Sequence, residues 1–296
     1  MFKTMKELCS KAEKKDPIKI AVSCAHDPDL LDTLVRAIDT KLAFFTILGD
    51  GDKIKGYLGK RVDDFKLIHI VDEDEANKKA VDMVYNGEVQ GVMNGISLPS
   101  KFLKPIEEKK KEKGRARFLS HIGLFEIPGY DRIIFVTDSG INIAPTLSDK
   151  VEIVENAIKI ANKLGLSLPL VAMITPIEKI NYKDMPSTVE AAIIAKMSSN
   201  GQIKNAIVDG PLALDNAISE RAARIKGIKS PVAGKADILV LHNIETGNIL
   251  YKILTYFSRA KVAACVAGAD FPVILPSRTD SPETRLKSIA LAKLLY

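Results

Sequence analysis

The sequence contains no tryptophan, and aromatic residues make up only 6% of its 296 residues. Proteins that bind nucleic acid strands commonly stack bases on aromatic side chains set in a basic surface. The densest basic run here, residues 107–117, mixes acidic with basic residues and has no aromatic side chain. The net charge of +6 favours anionic ligands without selecting one. We therefore expect no nucleic-acid partner.

Cysteine is also scarce. Cys9, Cys24 and Cys265 are far apart, and none belongs to a CxxC motif or a cysteine/histidine cluster. This spacing argues against a disulfide scaffold and against a zinc site, and it suits a reducing compartment. No group of carboxylates and histidines shows metal-ligand spacing either. We expect no metal and no bound cofactor.

Long hydrophobic runs are absent. No stretch reaches the roughly 18 apolar residues that a membrane helix requires. The first residues, MFKTMKELCSKAEKK, lack the apolar centre of a signal peptide. These observations predict a cytoplasmic protein with no membrane partner.

Short apolar runs rich in β-branched residues alternate with longer stretches of helical spacing, as in a parallel sheet covered by helices. The fold class is therefore predicted to be α/β, with Asp27, Asp72 and Ser100 as candidate helix N-caps. The predicted strands are 18–25, 43–50, 67–72, 91–95, 132–138, 168–175, 205–210 and 236–243, followed by two in AKVAACVAG and FPVILPS. The predicted helices are 27–40, 73–86, 99–112, 148–165, 186–199, 213–226 and 245–257, followed by one in SPETRLKSIALAKLLY.

The chain is longer than the size at which a single hydrophobic core usually stops growing, so we expect two domains. No low-complexity linker separates them, and the candidate hinges are FEIPGYDR and AGADFPV. The prediction is a first domain split between residues 1–130 and 270–296, and a second domain formed by residues 131–269.

Small and polar residues follow three predicted strands, in VDGPLALDNAIS, HNIETGNILYK and LPSRTDSPE. In open parallel sheets, ligands bind beyond the carboxyl ends of the strands, where helix N-termini offer N–H groups to anions. Any one of these junctions is more simply explained by turns and caps, in which Gly210 or Gly247 only shapes the backbone. The three together favour an anion site.

The third junction contains Ser277 and Arg278. A hydroxyl next to a guanidinium group suits a tetrahedral oxyanion, although a helix cap and a surface ion pair would explain the pair equally well from local sequence. His121 and His242 are isolated, and isolated histidines are more often structural than catalytic. Cys265 lies in an apolar run, which predicts burial and a raised pKa. No Walker loop or GxGxxG motif is present.

Several longer strings carry a family resemblance, in order, from about residue 88 to the end: LSHIGLFEIPGYDR, VTDSGINIAPTLSDKVEIVENAI, IVDGPLALDNAIS, KGIKSPVAGKADILV, NIETGNILYKILTYF and SRTDSP…SIALA. They resemble the phosphate butyryltransferases, relatives of the phosphate acetyltransferases. The resemblance implies a two-lobed isocitrate-dehydrogenase-like fold with largely parallel sheets and an interlobe cleft. There, acyl-CoA and inorganic phosphate would give acyl phosphate and free CoA. It also implies a homo-oligomer.

The same resemblance assigns Ser277 and Arg278 to phosphate and the reacting thioester. It matches Asp209 and Gly210 to a family turn, DGPLALD, and it matches a second family turn, GNI, to residues that would border the cleft. The residues that we expect to contact substrates besides the serine–arginine pair are Lys104, His121, Asp209, Gly210, Gly247, Asn248, Asp280 and Glu283.

The chain departs from the family pattern at three places. Lys104 stands where acetyltransferase relatives have an arginine, and it keeps the charge without the bidentate fork. Asn94 stands where many butyryltransferases have a lysine. Thr284 stands where acetyltransferases have an aspartate proposed as general base, so Asp280 and Glu283 are the candidate replacements.

Phosphate is already partly dianionic near neutral pH, so positioning it beside the thioester carbonyl matters more than deprotonating it. This ranks Arg278 above Asp280 and predicts direct attack by phosphate in a ternary complex. The resemblance favours butyryl over other acyl groups. Two alternatives stay open: a non-catalytic CoA- or nucleotide-binding protein, and an NAD-dependent decarboxylating dehydrogenase of the same fold.

Overall fold

The computed structural model describes residues 2–114 and 118–296. The chain divides into two compact units. We call one the split unit, formed by Thr4–Arg117 and Val262–Tyr296, and the other the central unit, formed by Phe118–Lys261 with Met1–Lys3. The chain therefore leaves the split unit and later returns to it. These limits differ from the predicted domain ends at residues 130 and 269, and the domain assignment stays a prediction.

The described residues form an α/β structure, as predicted. The strands are β1 (Ile18–Ser23), β2 (Ala43–Gly49), β3 (Lys66–His69), β4 (Gly91–Asn94), β5 (Ser120–Glu126), β6 (Ile133–Thr137), β7 (Leu170–Ile174), β8 (Ile207–Leu212), β9 (Ile238–Val240), β10 (Lys261–Ala267) and β11 (Val273–Ile274). The helices are α1 (Met5–Glu13), α2 (Pro28–Asp39), α3 (Gly51–Leu58), α4 (Glu73–Tyr85), α5 (Pro99–Glu112), α6 (Leu147–Lys163), α7 (Pro186–Ser199), α8 (Leu214–Ile218), α9 (Glu220–Ile225), α10 (Ile244–Lys252) and α11 (Pro282–Leu295), with a 3₁₀ helix at Gly59–Asp64 and a π-helical turn at Ile253–Phe257.

In the split unit, β3, β2, β1, β4 and β11 are neighbours in that order and run parallel, and β10 pairs antiparallel with β11. In the central unit, β6, β9, β7 and β8 run parallel in that order, and β5 pairs antiparallel with β6. The prediction of largely parallel sheets is confirmed. The two-lobed isocitrate-dehydrogenase-like fold with its cleft stays a prediction.

The sequence of β1, IKIAVS, shows why these strands form. Every position of β1 except Lys19 is buried. A strand covered on both faces carries a near-continuous apolar run instead of an alternating one. Helix α2 then begins as predicted, with Asp27 accepting a hydrogen bond from the Leu30 N–H at 2.8 Å and Pro28 at the first helical position.

Two helix predictions are wrong in detail. Ser100 is not an N-cap, because α5 begins at Pro99 and Leu98 occupies the cap position without a side-chain hydrogen bond. The predicted helix 213–226 is broken at Ser219, whose backbone is extended and whose hydroxyl caps α9 by accepting from the Ala222 N–H. Serine competes for backbone hydrogen bonds in this way, which favours helix ends over helix interiors.

No helix in the described ranges is both long enough and apolar enough to cross a membrane. Over the same ranges, no three His, Cys, Asp or Glu side chains come together in an arrangement that could hold a metal ion.

Candidate functional site

A cavity of about 120 Å³ lies in the split unit near the ends of β1, β4 and β11, and we call it the strand-end pocket. These strands are parallel neighbours, so their carboxyl ends meet at one edge of the sheet. That edge is the usual ligand site of open α/β sheets. The residues lining the pocket include Asp27, Gly95, Ile96, Ser277, Arg278 and Arg285.

The backbone at Gly95 closes one side of the pocket against β1. The Gly95 N–H donates to the Ser23 carbonyl oxygen at 2.8 Å, and the Ile96 N–H donates to the Cys24 carbonyl oxygen at 3.3 Å. A Cβ atom on Gly95 would stand 2.2 Å from the Cys24 carbonyl oxygen. Only glycine permits this approach, so the pocket wall depends on residue 95 having no side chain.

Asn94, where the resemblance leads us to expect a lysine, is buried next to Gly95. Its Nδ2 donates to the Ser97 carbonyl oxygen at 2.9 Å, and its Oδ1 accepts from the Ser97 hydroxyl at 2.7 Å. Asn77 Nδ2 also donates to the Ser97 hydroxyl. The amide therefore holds the loop that lines the pocket.

Ser277 and Arg278 lie in a turn held by Asp280. The Ser277 N–H donates to Asp280 Oδ2 at 2.8 Å, and the Asp280 N–H donates back to the Ser277 carbonyl oxygen at 3.0 Å. Ser277 is half-buried, and Arg278 is exposed. The structure thus brings both members of the predicted pair to one pocket.

The predicted replacements for the missing aspartate have other contacts. Asp280 holds the turn just described, and Glu283 accepts hydrogen bonds from Arg36 Nη1 at 3.1 Å and Nη2 at 3.2 Å. The hydrogen bond from its own backbone N–H and the Arg36 guanidinium lower the pKa of Glu283. Thr284 donates its N–H to Ser281 in the first turn of α11. Neither carboxylate lines the strand-end pocket.

Arg285 is a pocket residue that the sequence analysis missed. It lies on α11 with 7% of its surface exposed, and its Nη1 is 3.6 Å from Asp27 Oδ1. Among the described residues, neither its Nε nor its Nη1 has a hydrogen-bond partner. The available signal was helical spacing, because Arg285, Ile289 and Ala292 share one buried helix face and an arginine is unusual there.

Lys104 is exposed on α5, directly before Pro105, and it does not line the strand-end pocket. Its predicted contact with phosphate stays a prediction.

In the central unit, Asp209 and Gly210 lie inside β8 and do not form the predicted turn. Asp209 Oδ1 accepts a hydrogen bond from the Gly210 N–H at 2.8 Å, and a Cβ atom on Gly210 would stand 2.7 Å from Met173 Cβ. The strand continues through Pro211 because β8 pairs only with β7 among the described strands of its unit. Proline is tolerated on such an edge strand.

Gly247 and Asn248 lie within α10, so their interpretation as a turn is also wrong. The Gly247 N–H donates to the Asn243 carbonyl oxygen at 3.0 Å and is therefore engaged inside the helix. A Cβ atom on Gly247 would stand 2.0 Å from the Asp138 carbonyl oxygen. Asn248 Nδ2 donates to the Ser139 carbonyl oxygen at 3.3 Å. Both residues fix α10 against the segment that follows β6.

His121 contacts the same segment. Its Nδ1 is 2.8 Å from the Ser139 hydroxyl, and its ring packs edge-on against Tyr251 with 5.7 Å between centroids. Burial lowers the pKa of His121, and the negative charge of Asp138 opposes this effect. Asp138 itself accepts hydrogen bonds from three successive backbone N–H groups, those of residues 140, 141 and 142. The buried Ser139 was not singled out from the sequence.

A model of the phosphate acetyl/butaryl transferase family matches residues 69–293. The chain belongs to this family. The members of the phosphate acetyl/butaryl transferase family are enzymes, so a transferase activity of this class follows for the chain.

Named relatives agree with the family assignment. The chain is 41% identical to the phosphate butyryltransferase of Clostridium acetobutylicum, over 100% of this chain and 99% of that protein. It is also 41% identical to the phosphate acetyltransferase of Thermotoga maritima, over 93% of this chain and 94% of that protein. A solved branched-chain phosphotransacylase from Enterococcus faecalis superimposes with a TM-score of 0.82 at 34% identity, covering 94% of this chain and 99% of that chain.

The thiols bear on how a phosphate acetyl/butaryl transferase could react. Cys265 has 1% of its surface exposed, and burial raises its pKa to about 12. Burial is also the largest cause that raises the pKa of Cys24, to about 11. The prediction that Cys265 is a core residue with a raised pKa is confirmed. A thiol with so high a pKa is almost wholly protonated near neutral pH and is a poor nucleophile.

Proposed function

We propose that this transferase catalyses the reaction of butyryl-CoA with inorganic phosphate, which gives butyryl phosphate and free CoA. The observation that carries the proposal is the turn that presents Ser277 and Arg278 to the strand-end pocket. The butyryl group is supported by a relative named phosphate butyryltransferase that the chain matches from end to end. Because a phosphate acetyltransferase matches at the same identity, acyl length is the first property to measure.

Arg278 positions phosphate in this proposal. Its guanidinium group offers two parallel N–H donors to two phosphate oxygens, which fixes both the place and the orientation of the nucleophile. Helix α2 begins beside the same pocket, at Asp27, and its positive dipole end favours an anion there. Orientation at close range supplies a large part of the rate enhancement in reactions of this type.

In the reaction, a phosphate oxygen attacks the thioester carbonyl carbon and forms the new C–O bond. The carbonyl oxygen gains negative charge, which the Ser277 hydroxyl stabilises by donating a hydrogen bond. The C–S bond then breaks, and its electron pair leaves with the CoA sulfur, which takes up a proton released by phosphate or from solvent. Phosphate as the dianion needs no carboxylate base, so the engagement of Asp280 in the turn is compatible with turnover.

We further propose direct transfer within a ternary complex. An acyl-enzyme intermediate requires an activated nucleophile, and the Cys24 and Cys265 thiols have raised pKa values. We also propose that the protein is a cytoplasmic homo-oligomer that needs no metal or bound cofactor. Direct substrate contacts by Lys104 and His121 stay predictions. The same holds for Asp209, Gly210, Gly247 and Asn248 in the central unit.

The test is to follow free thiol release from acetyl-, butyryl- and isobutyryl-CoA with and without inorganic phosphate. We expect phosphate-dependent release without added metal, unchanged by a chelator, and fastest with butyryl-CoA. Intersecting lines in initial-rate plots are expected for a ternary complex, and parallel lines would contradict it. Parallel assays for NAD reduction by hydroxy acids test the dehydrogenase alternative. CoA binding without turnover on any of the three thioesters would favour a non-catalytic protein.

A further inference from the structure

The buried guanidinium of Arg285 lacks the contacts that burial normally demands. Its exposed fraction is 7%, yet its Nε and Nη1 have no hydrogen-bond partner in the described residues. A buried donor without a partner costs free energy, and a buried charge costs more. Charged side chains are almost never fully buried unless they are paired. The guanidinium is therefore a candidate to bind an anion.

Asp27 is only a partial counter-ion for Arg285. The distance from Arg285 Nη1 to Asp27 Oδ1 is 3.6 Å, which is longer than a hydrogen bond. The same oxygen already accepts the Leu30 N–H at 2.8 Å as the N-cap of α2. Asp27 therefore attracts Arg285 electrostatically without accepting a hydrogen bond from its Nη1.

Arg285, the residue that carries these two groups, lines the strand-end pocket together with Arg278. Within residues 2–114 and 118–296, the charged side chains that line the pocket are these two arginines and Asp27. Two guanidinium groups against one carboxylate leave a net positive charge in a cavity of about 120 Å³. This volume is several times the space that one water molecule needs. The pocket therefore has the size and charge for a small tetrahedral anion.

We infer that Arg285 is a second phosphate-binding residue, with its guanidinium group donating to phosphate oxygens while Arg278 binds the same anion from the turn after β11. The inference rests on the proposed function, which supplies phosphate as a substrate. The two arginines differ in how they would contact phosphate. Arg278 is exposed in the turn, whereas Arg285 is buried on a helix, and the surrounding packing restricts it before phosphate arrives. Such preorganisation increases affinity because less freedom is lost on binding.

The experiment compares Arg285→Met with Arg36→Met. Arg36 is the matched control because it also joins α2 to α11, through Glu283, but it is half-exposed and does not line the pocket. Both variants remove one positive charge. We expect Arg285→Met to raise the KM for phosphate roughly tenfold to a hundredfold, with the KM for butyryl-CoA unchanged. We expect Arg36→Met to leave both KM values within about twofold of wild type.

Binding of inorganic phosphate alone, measured by calorimetry, separates this inference from the proposed function. If wild-type protein turns over no thioester but binds phosphate, and Arg285→Met does not, the proposed function fails and the inference stands. If wild-type protein is active and Arg285→Met keeps its phosphate KM within about threefold, the inference is overturned and the function stands. That second result would make Arg285 a structural counter-ion of Asp27.

Arg285→Lys covers the case in which Arg285→Met does not fold. Lysine keeps the buried charge beside Asp27 but offers one ammonium group in place of the guanidinium fork. We expect a phosphate KM raised several-fold with an unchanged KM for butyryl-CoA. An unchanged phosphate KM in this variant would also overturn the inference.

Discussion

The turn after β11 and the first turns of α10 have similar sequences, but their polar groups make different contacts. Both follow an apolar strand, and both are rich in small and polar residues. After β11, Ser277 and Arg278 line a cavity, and the buried Arg285 has N–H groups without a partner in the part of the chain that the structure describes. In α10, the Gly247 N–H is bonded inside the helix, and its Cα packs against the Asp138 carbonyl.

From this difference we expect a strand-to-helix junction to bind a ligand only where its hydrogen-bond donors have no partner after folding. Backbone N–H groups in a close-packed junction already have hydrogen-bond partners, so they cannot donate to an anion. A buried cation whose N–H donors have no partner can form strong, charge-assisted hydrogen bonds with an anion. Four substitutions are described from the largest expected effect to the smallest. Those of Arg278 and Gly247 test whether the first junction serves activity and the second serves stability, and those of Cys265 and Glu283 test residues outside the proposed chemistry.

Arg278→Ala should weaken the phosphate side of the reaction far more than the CoA side. Losing a charge-assisted bidentate contact removes roughly 2–4 kcal/mol of transition-state stabilisation, which is about 30-fold to 1000-fold in rate at limiting phosphate. The CoA dissociation constant and the urea midpoint should change little. Arg278→Lys should recover part of the loss. A rate at subsaturating phosphate within about threefold of wild type would place phosphate elsewhere.

Gly247→Ala should act on stability. The new methyl group would stand 2.0 Å from the Asp138 carbonyl oxygen, so the backbone must shift, at a cost of about 1–3 kcal/mol. Gly56→Ala in α3 is the control, because a Cβ atom there meets nothing within 4 Å and alanine favours a helix. Urea unfolding should show a lower midpoint for Gly247→Ala and an unchanged or higher one for Gly56→Ala. Equal midpoints would contradict the close packing.

Cys265→Ala should retain turnover. Removing a buried sulfur leaves a small cavity, with a loss of about 1 kcal/mol in the free energy of unfolding. The KM values should be those of wild type, because the thiol has a pKa of about 12 and takes no part in the chemistry. A folded variant without activity would reveal an acyl-cysteine route. Steady-state kinetics together with urea unfolding make both measurements.

Glu283→Gln should have the smallest effect. The residue lies at the start of α11 near the pocket turn, but its carboxylate binds the exposed Arg36, and exposed pairs contribute under about 1 kcal/mol. Because the pKa of Glu283 is lowered in the folded protein, its contribution is present above the unfolded pKa of the carboxyl group. It is lost as the pH falls through the lowered folded pKa. Wild type and variant should therefore differ at neutral pH and converge in acid. A large loss of activity would contradict its position outside the pocket.

Much of the fold could be predicted because its signals are local. The buried apolar run of β1 and the Asp27 cap of α2 depend on neighbouring residues only, and both are confirmed. The split at Ser219 was missed because a serine that caps a second helix is read locally as part of one longer helix. Strand β5 was also missed, since its sequence SHIGLFE holds a histidine and a glycine at buried positions.

The candidate site was predictable only in part. Ser277 and Arg278 were found because they are adjacent in sequence and share a family pattern. Arg285 was missed because its meaning depends on three segments that meet only in the folded chain, those around Asp27, Gly95 and α11. Spacing along a helix can show that an arginine faces inward, but it cannot show which donors stay without partners. That information exists only in three dimensions.

The division of the split unit between Thr4–Arg117 and Val262–Tyr296 has a consequence for the protein during its synthesis. The strand-end pocket takes Asp27 and Gly95 from the first segment and both of its arginines from the second. A ribosome must therefore translate the whole central unit before the pocket can gain either arginine. Until then, β4 lacks its neighbour β11 and has an unpaired edge. Strand β11 must bind that edge although the whole central unit separates the two strands in sequence. The nascent chain therefore completes the strand-end pocket last.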